Sequence, residues 1–380
     1  MVSIGAARSS RAGGIWRASL LQGVAVAALF VLVGLPAGAA AQDQAAPEAA
    51  ADEGGSPWDD VTYGGWLQAG AHSYNTGMFN NKNDDSVNLH QAWLFIDKEA
   101  SGENGVGWGF HMDFVSGVDG PDTQAFFGED DAWDNSWDEG DFYGHAIPQL
   151  YGVVAVGDAS VKFGHFYTIM GYEVVQAPDN FFFSHAFTMF NSEPFTHTGV
   201  LGEYAMGDIT LYGGWTLGWD SGFGTSVPDG NNFLGGISVG LGDVGAVIYT
   251  TTAGRLGAGG LSTGYSHSIV VDLNVTDRLN YVFQSDYVDN PAANESHGVN
   301  NYLLFALNEK VSIGARVEWW NTNVGPVASD IFSVTSGVKI QAADRIIVRP
   351  EIRWDQDDDS AIIPSGEDGV GVGMDVILTF

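Results

Sequence analysis

The sequence predicts an all-β protein, a transmembrane antiparallel up-and-down β-barrel of about 16 strands, with roughly 14 to 18 allowed by boundary error. Three observations predict it. Hydropathy keeps a period of two from Val61 to the last residue, tight turns alternate with long links, and neither a cysteine nor a second long apolar run offers another architecture.

The first element is an address. Arg8, Arg11 and Arg17 precede an apolar run from Leu20 to Leu35, and the small residues Ala37 to Ala41 follow. That order is a secretory signal peptide over 1–41, cut before Gln42, and the run is too short and too broken by Gly23, Gly34 and Pro36 for a span. Residues 42–60 have almost nothing to bury and read as a disordered leader. The barrel itself is expected over 61–380.

Charge narrows the partners. The chain has 14 basic and 47 acidic residues, a formal net charge of −33, and three of the arginines lie in the signal peptide. Nucleic acid is thereby excluded as a partner, while the 12 Trp, 13 Tyr and 22 Phe argue against a disordered acidic chain.

The strands are read from alternation. Val370, Val372, Met374, Val376, Leu378 and Phe380 share one face against Gly371, Gly373, Asp375 and Thr379, with Ile377 the exception. Val106, Trp108, Phe110, Met112 and Phe114 oppose His111 and Asp113; Val311, Ile313, Ala315, Val317 and Trp319 oppose Ser312, Arg316 and Glu318. Successive side chains of a strand point to opposite faces, so each piece has one greasy and one polar side.

Turns then order the strands. Gly157-Asp158, Gly207-Asp208, Gly242-Asp243, Thr276-Asp277, Asn308-Glu309 and Ala343-Asp344 suit short hairpins, whereas longer links are read near 75–86, 116–143, 170–197, 220–231, 253–263, 289–297, 321–329 and 356–367. Short turns on one rim and long loops on the other are the plan of a bacterial outer-membrane barrel. Trp66, Trp93, Trp215, Trp219, Trp319, Trp320 and Trp354 fall near strand ends and read as interfacial girdles.

A barrel of that size is too wide for side chains to fill, so the polar face is expected to line water. The pore-lining candidates are His111, Asp113, Lys162, Asp272, Asp286, Arg316, Glu318, Lys339, Arg349, Glu351 and Arg353. The link 170–197 is too apolar to stand in water and is expected to fold inward as a constriction carrying Tyr172, Glu173, Asp179, Asn180, Phe182, His185, Glu193 and His197.

Two acidic clusters are weak metal candidates: Asp130, Asp131, Asp134 and Asp138, and an EF-hand-like run with Asp355, Asp357 and Asp359 that has Ser360 where glycine is required. The expectation is no cofactor, with Ca2+ or other divalent cations held at most loosely. No G-x-S-x-G elbow or H-E-x-x-H helix is present, so no catalytic residue is assigned and the protein is not read as an enzyme.

The middle of the chain, Gly144-His145-Ala146-Ile147-Pro148-Gln149-Leu150-Tyr151, Lys162-Phe163-Gly164-His165-Phe166-Tyr167-Thr168, Gly171-Tyr172-Glu173, Ala177-Pro178-Asp179-Asn180-Phe181-Phe182, Asn191 to Gly199 and Gly214 to Asp220, resembles the outer-membrane β-barrel porins described as OmpL-like. The resemblance implies a barrel over the whole mature chain and passive passage of small solutes, and it brings no catalytic residues. A terminal Phe380 likewise resembles the signal that outer-membrane barrels present to their assembly machinery. By resemblance to general porins, Arg316, Lys339, Arg349 and Arg353 would form a basic ladder facing Asp113, Asp272 and Asp286 across the lumen.

The function expected is diffusion of small hydrophilic solutes, cations before anions, across the outer membrane of a Gram-negative-type bacterium, with membrane lipid and a homotrimer as partners. The alternatives are a substrate-selective channel or receptor, a secreted acidic β-sandwich binding protein, and an outer-membrane hydrolase.

Overall fold

The computed structural model describes Trp58 and residues 60–73, 86–103, 105–125, 133–139, 142–223, 231–256, 263–290, 294–324, 327–357 and 369–380. The expected signal peptide and most of the leader, with Asp130, Asp131 and Asp359, lie outside these residues.

In chain order the strands are β1 (Val61–His72), β2 (Asn88–Lys98), β3 (Val106–Gly117), two short ones, β4 (Asp138–Glu139) and β5 (Tyr143–Ala146), then β6 (Leu150–Val156), β7 (Ala159–Tyr167), β8 (Thr196–Met206), β9 (Ile209–Trp219) and β10 (Asn231–Gly240). They continue as β11 (Gly245–Arg255), β12 (Gly264–Thr276), β13 (Leu279–Asn290), β14 (Asn294–Asn308), β15 (Val311–Val324), β16 (Val327–Ala343), β17 (Ile346–Asp357) and β18 (Gly369–Thr379). β4 and β5 lie in the connection between β3 and β6; the other 16 form a closed antiparallel barrel. Closure is made by β1 against β18, where Trp66 faces Thr379 and His72 faces Gly373.

The short turns share one rim, and the sequence explains why they are short. Gly157, Gly207 and Gly242 have φ of 56°, 62° and 61°, a region that glycine enters without the steric cost of a Cβ. At 277–278 and 309–310 no glycine is used. There Thr276 Oγ1 accepts from the backbone N–H of Arg278 and Leu279, and Asn308 Oδ1 accepts from Lys310 and Val311.

Two expected long links are short. β13 and β14 pair out to Asn290 opposite Asn294, and β15 and β16 to Val324 opposite Val327. The described residues within 289–297 and 321–329 are strand ends, because Asn, Asp and Ser there satisfy the ladder as well as they satisfy a loop.

The greasy face points outward, as the alternation predicts. Val161, Phe163, Val200, Trp215, Ile352 and Val372 are all exposed on the outer wall, where lipid tails solvate them. The inner face is more mixed than expected. Trp66, Trp93 and Trp320 are 4%, 1% and 1% exposed, and they point into the barrel, not to a membrane interface. Trp66 stacks on Trp93, and Trp320 stacks on Phe187. Their indole N–H groups donate to Gln91, Asp113 and Ser192, partners that a lipid-facing girdle would not supply. Trp219 donates to Thr252. Of the expected girdle, Trp215 and Trp319 remain exposed outside, and Trp354 packs edge-on to Phe332.

Candidate functional site: a loop bound inside the barrel

Register stacks the charged residues of β13–β18 on one wall. Gln284, Asn300, Glu318, Ser333 and Asp355 lie side by side across five strands, and the row Tyr302, Arg316, Thr335, Arg353 runs beside it. Arg349 stands opposite Asp375 on β18. A period-2 strand delivers all of these to the lumen once one of them faces it.

What they meet there is the chain between β7 and β8. Its base is closed by Thr168 N–H donating to Phe195 O at 3.0 Å. A 3-10 turn, Ala177–Asp179, and a helix, Phe187–Ser192, give it shape.

Every cation of the basic ladder is spent on this loop. Arg316 Nη1 donates to Glu173 Oε1 at 2.6 Å and to Ser184 O at 2.8 Å. Arg349 Nη1 donates to Ala177 O, Asn180 O and Phe182 O at 2.8, 2.9 and 2.8 Å, while its Nη2 pairs with Asp375. Arg353 Nη1 donates to His185 O at 2.6 Å and its Nε to Asp355, and Lys339 Nζ donates to Pro178 O. The expected bare ladder facing Asp113, Asp272 and Asp286 across water is therefore corrected. Loop carbonyls left without a helix or sheet partner need donors, and the wall arginines supply them.

The wall acids hold the loop's N–H groups. Glu318 accepts from Phe187 N, Thr188 N and Thr188 Oγ1 at 2.9, 2.8 and 2.7 Å; Glu351 accepts from Phe183 N and Ser184 N at 2.8 and 3.1 Å. Around the polar contacts the loop buries apolar side chains. Val175 and Ala177 pack with Trp66, Trp93, Ile347 and Ile377, and Phe182 packs with Val270, Val282 and Tyr302. Ile377, the exception to alternation in the last strand, faces inward because it is part of this packing.

The remaining constriction candidates divide. The Tyr172 ring lies 4.8 Å from that of Tyr302, and Phe182 lies under the Arg316 guanidinium at 5.3 Å. Asn180 ties the loop to itself through Val174 and Gln176. Burial opposes the charge of Glu173, yet Arg316 and then His185 hold its carboxyl well below the usual range. Glu193 reaches Gln284, and Asp179 is exposed on the 3-10 turn. His197 is not in the loop; it belongs to β8, with its ring bonded to Thr168 Oγ1 and Gly218 O.

The other candidates lie on β3, β7 and β12. His111 sits between Asp97 and Asp113 at 2.8 and 3.1 Å. Lys162 Nζ lies 5.0 Å from the Tyr151 ring, and Asp272 accepts from Asn280.

Among the metal candidates, Asp134 accepts from Ala125 N and Ile147 N, Asp138 from Gln124, and Asp357 from Ser329, while Asp355 pairs with Arg353. Among the described residues no group of three His, Cys, Asp or Glu converges on a point. These carboxylates hold loops and strand ends together.

Gln91 and Asp375 were missed as site residues. Asp375 could have been found, since it occupies the polar face of the last alternating strand. Gln91, which bridges Trp66, Asp119 and the carbonyl of Val175, sits where a bulge in the β1–β2 pairing buries both His90 and Gln91, and strict alternation gives no warning of that.

A closed 16-strand barrel with a greasy exterior and a chain segment bound in its lumen defines a bacterial outer-membrane protein of the porin class. The sequence matches the family described as "Putative beta-barrel porin-2, OmpL-like" over residues 60–380, and the chain belongs to that family. Solved structures with the same fold include the trimer form of OmpT from Vibrio cholerae, with TM-score 0.56, 13% identity, and 84% of this chain and 99% of that chain covered. A loop L8 deletion mutant of OmpT from Vibrio cholerae gives TM-score 0.57 at 13% identity over 84% and 99%. A mutant Rh. blastica porin gives TM-score 0.55 at 13% identity over 84% and 100%. No curated protein matches the sequence.

Proposed function

We propose that the protein is a channel, not an enzyme, through which small hydrophilic solutes diffuse passively, and that loop 168–195 narrows its passage. The observation that carries this reading is the loop's position. It is bound to the inner wall by four cationic side chains and two carboxylates, so it occupies part of the cross-section.

The same bonds support a preference for cations. Arg316, Arg349 and Arg353 are neutralised by Glu173, Asp375 and Asp355, and the chain as a whole keeps a net charge of −33. With the wall cations spent, the acidic rims set the field at the mouth, and a negative mouth concentrates counter-ions. Outer-membrane lipid surrounds the barrel, the assembly machinery reads the strand ending in Phe380, and a homotrimer is the assembly proposed.

Planar bilayers with a KCl gradient test this. Stepwise conductance with a reversal potential of the sign set by K+ is expected. Anion selectivity overturns the preference, and saturation at low solute concentration favours the substrate-selective channel.

A further inference from the structure

All but two of the carboxylates buried where the loop meets β13–β18 are matched. Glu173 has Arg316, Asp375 has Arg349, Asp355 has Arg353, Asp357 accepts from Ser329, and Glu318 and Glu351 each accept loop N–H groups. The other two are Glu193, at the end of the loop helix, and Asp286 on β13. They are 6% and 2% exposed, and neither forms an ion pair with Lys, Arg or His among the described residues. Instead they share one neutral donor. Gln284 Nε2 donates to Glu193 Oε1 and, at 2.7 Å, to Asp286 Oδ2.

Two carboxyls held against the same amide, out of water, need either a shared proton or a positive charge between them. A second observation points to where it sits. Asn300 is fully buried on the inner face of β14, directly opposite Gln284 on one side and Glu318 on the other, and neither its Oδ1 nor its Nδ2 has a partner. Asp286 Oδ1 has none either. A buried amide and a buried carboxylate oxygen, both unpartnered, thus lie on neighbouring strands of the inner face, Asn300 opposite Gln284 and Asp286 two residues along the strand from Gln284.

We propose that Glu193, Asp286 and Asn300 form a binding site for one hard divalent cation of the Ca2+ type. Two carboxylates match its charge, the Asn300 carbonyl oxygen adds a neutral ligand, and water completes the six to eight oxygens that such an ion takes, on the order of the usual number. Because Glu193 belongs to the loop and Asp286 to the wall, the ion is a further tie between them. It is distinct from the acidic clusters of Asp134, Asp138, Asp355 and Asp357, which are engaged by hydrogen bonds or by Arg353. The inference stands whether or not the loop limits conductance.

Terbium is the probe, titrated into the full-length barrel folded in detergent after treatment with a chelator. Trp320 donates to Ser192 Oγ, next to Glu193, and so provides a nearby sensitiser. The expected result is one saturable, Ca2+-displaceable site per chain, lost in Glu193→Gln/Asp286→Asn and weakened at least about tenfold in Asn300→Ala. An unchanged titration in both variants overturns the proposal, as does a wild-type barrel with no displaceable site, which assigns a shared proton to the pair. If the double variant does not fold, an anomalous-scattering map of terbium-soaked wild-type crystals decides: a peak between the three side chains supports the site, and its absence overturns it.

Discussion

The wall of β13–β18 and the wall of β6–β11 obey the same alternation, yet their inner faces do different work. On the first, Arg316, Glu318, Arg349, Arg353 and Asp355 are nearly inaccessible, each bonded to the loop or to one another. On the second, Lys162 and Thr210 are half-buried and Glu203 is exposed, while Leu201 and Leu234 are buried in an apolar cluster that Tyr151, Tyr212 and Ile169 of the loop pack against. Charge is concentrated where irregular backbone must be dissolved inside a barrel, whereas the wall of β6–β11 meets the loop through apolar side chains.

The contrast can be broken at its most committed residue. Arg316→Ala leaves Glu173 buried without its guanidinium, a loss of about 3–5 kcal/mol for one partner of a buried pair. Proteolytic nicking between residues 168 and 195, limited by transient release of the loop, is expected to speed up by about a hundredfold or more. An unchanged rate shows that the loop is held without the basic wall.

A smaller effect is expected on the wall of β6–β11. Lys162→Glu reverses one charge that lies over the Tyr151 and Phe166 rings. It should move the reversal potential further toward the cation value with little change in stability. A matching shift from Lys339→Gln, whose side chain is tied to Pro178 and Asn180, would remove the distinction between the walls.

The smallest effect concerns the base of the loop. Asp220 lies just beyond β9 and accepts from Phe195 N and Thr196 N at 2.8 and 2.9 Å. Burial pushes its carboxyl up to about 6. A folded value above the unfolded one, near 3.9, means that its contribution is full below about pH 4 and is lost as pH rises through about 6. Relative to Asp220→Asn, the wild-type thermal midpoint should therefore fall between pH 4 and pH 7. A constant difference across that range excludes the carboxyl as the source.

The barrel was legible in the sequence because lipid and lumen impose opposite demands on successive residues, so Val370 to Phe380 declares both faces at once. The inward course of the loop was legible in its run of Phe181, Phe182, Phe183 and Phe187, which water would not tolerate. Its anchors were found as residues but not as partners, since alternation places Arg349 and Glu351 on the inner face without saying what they meet. Trp66, Trp93 and Trp320 misled for a related reason. A tryptophan near a strand end looks alike whether its indole faces headgroups or a buried glutamine, and only the bound loop distinguishes the two.

Conductance of a barrel lacking residues 172–195 tests the account most directly. The remaining strands keep their ladders, and the lumen loses the segment that fills one side. A clear rise in single-channel conductance over the wild type is predicted. Equal conductance in the two proteins would contradict the account, because the loop would then lie off the path that ions take.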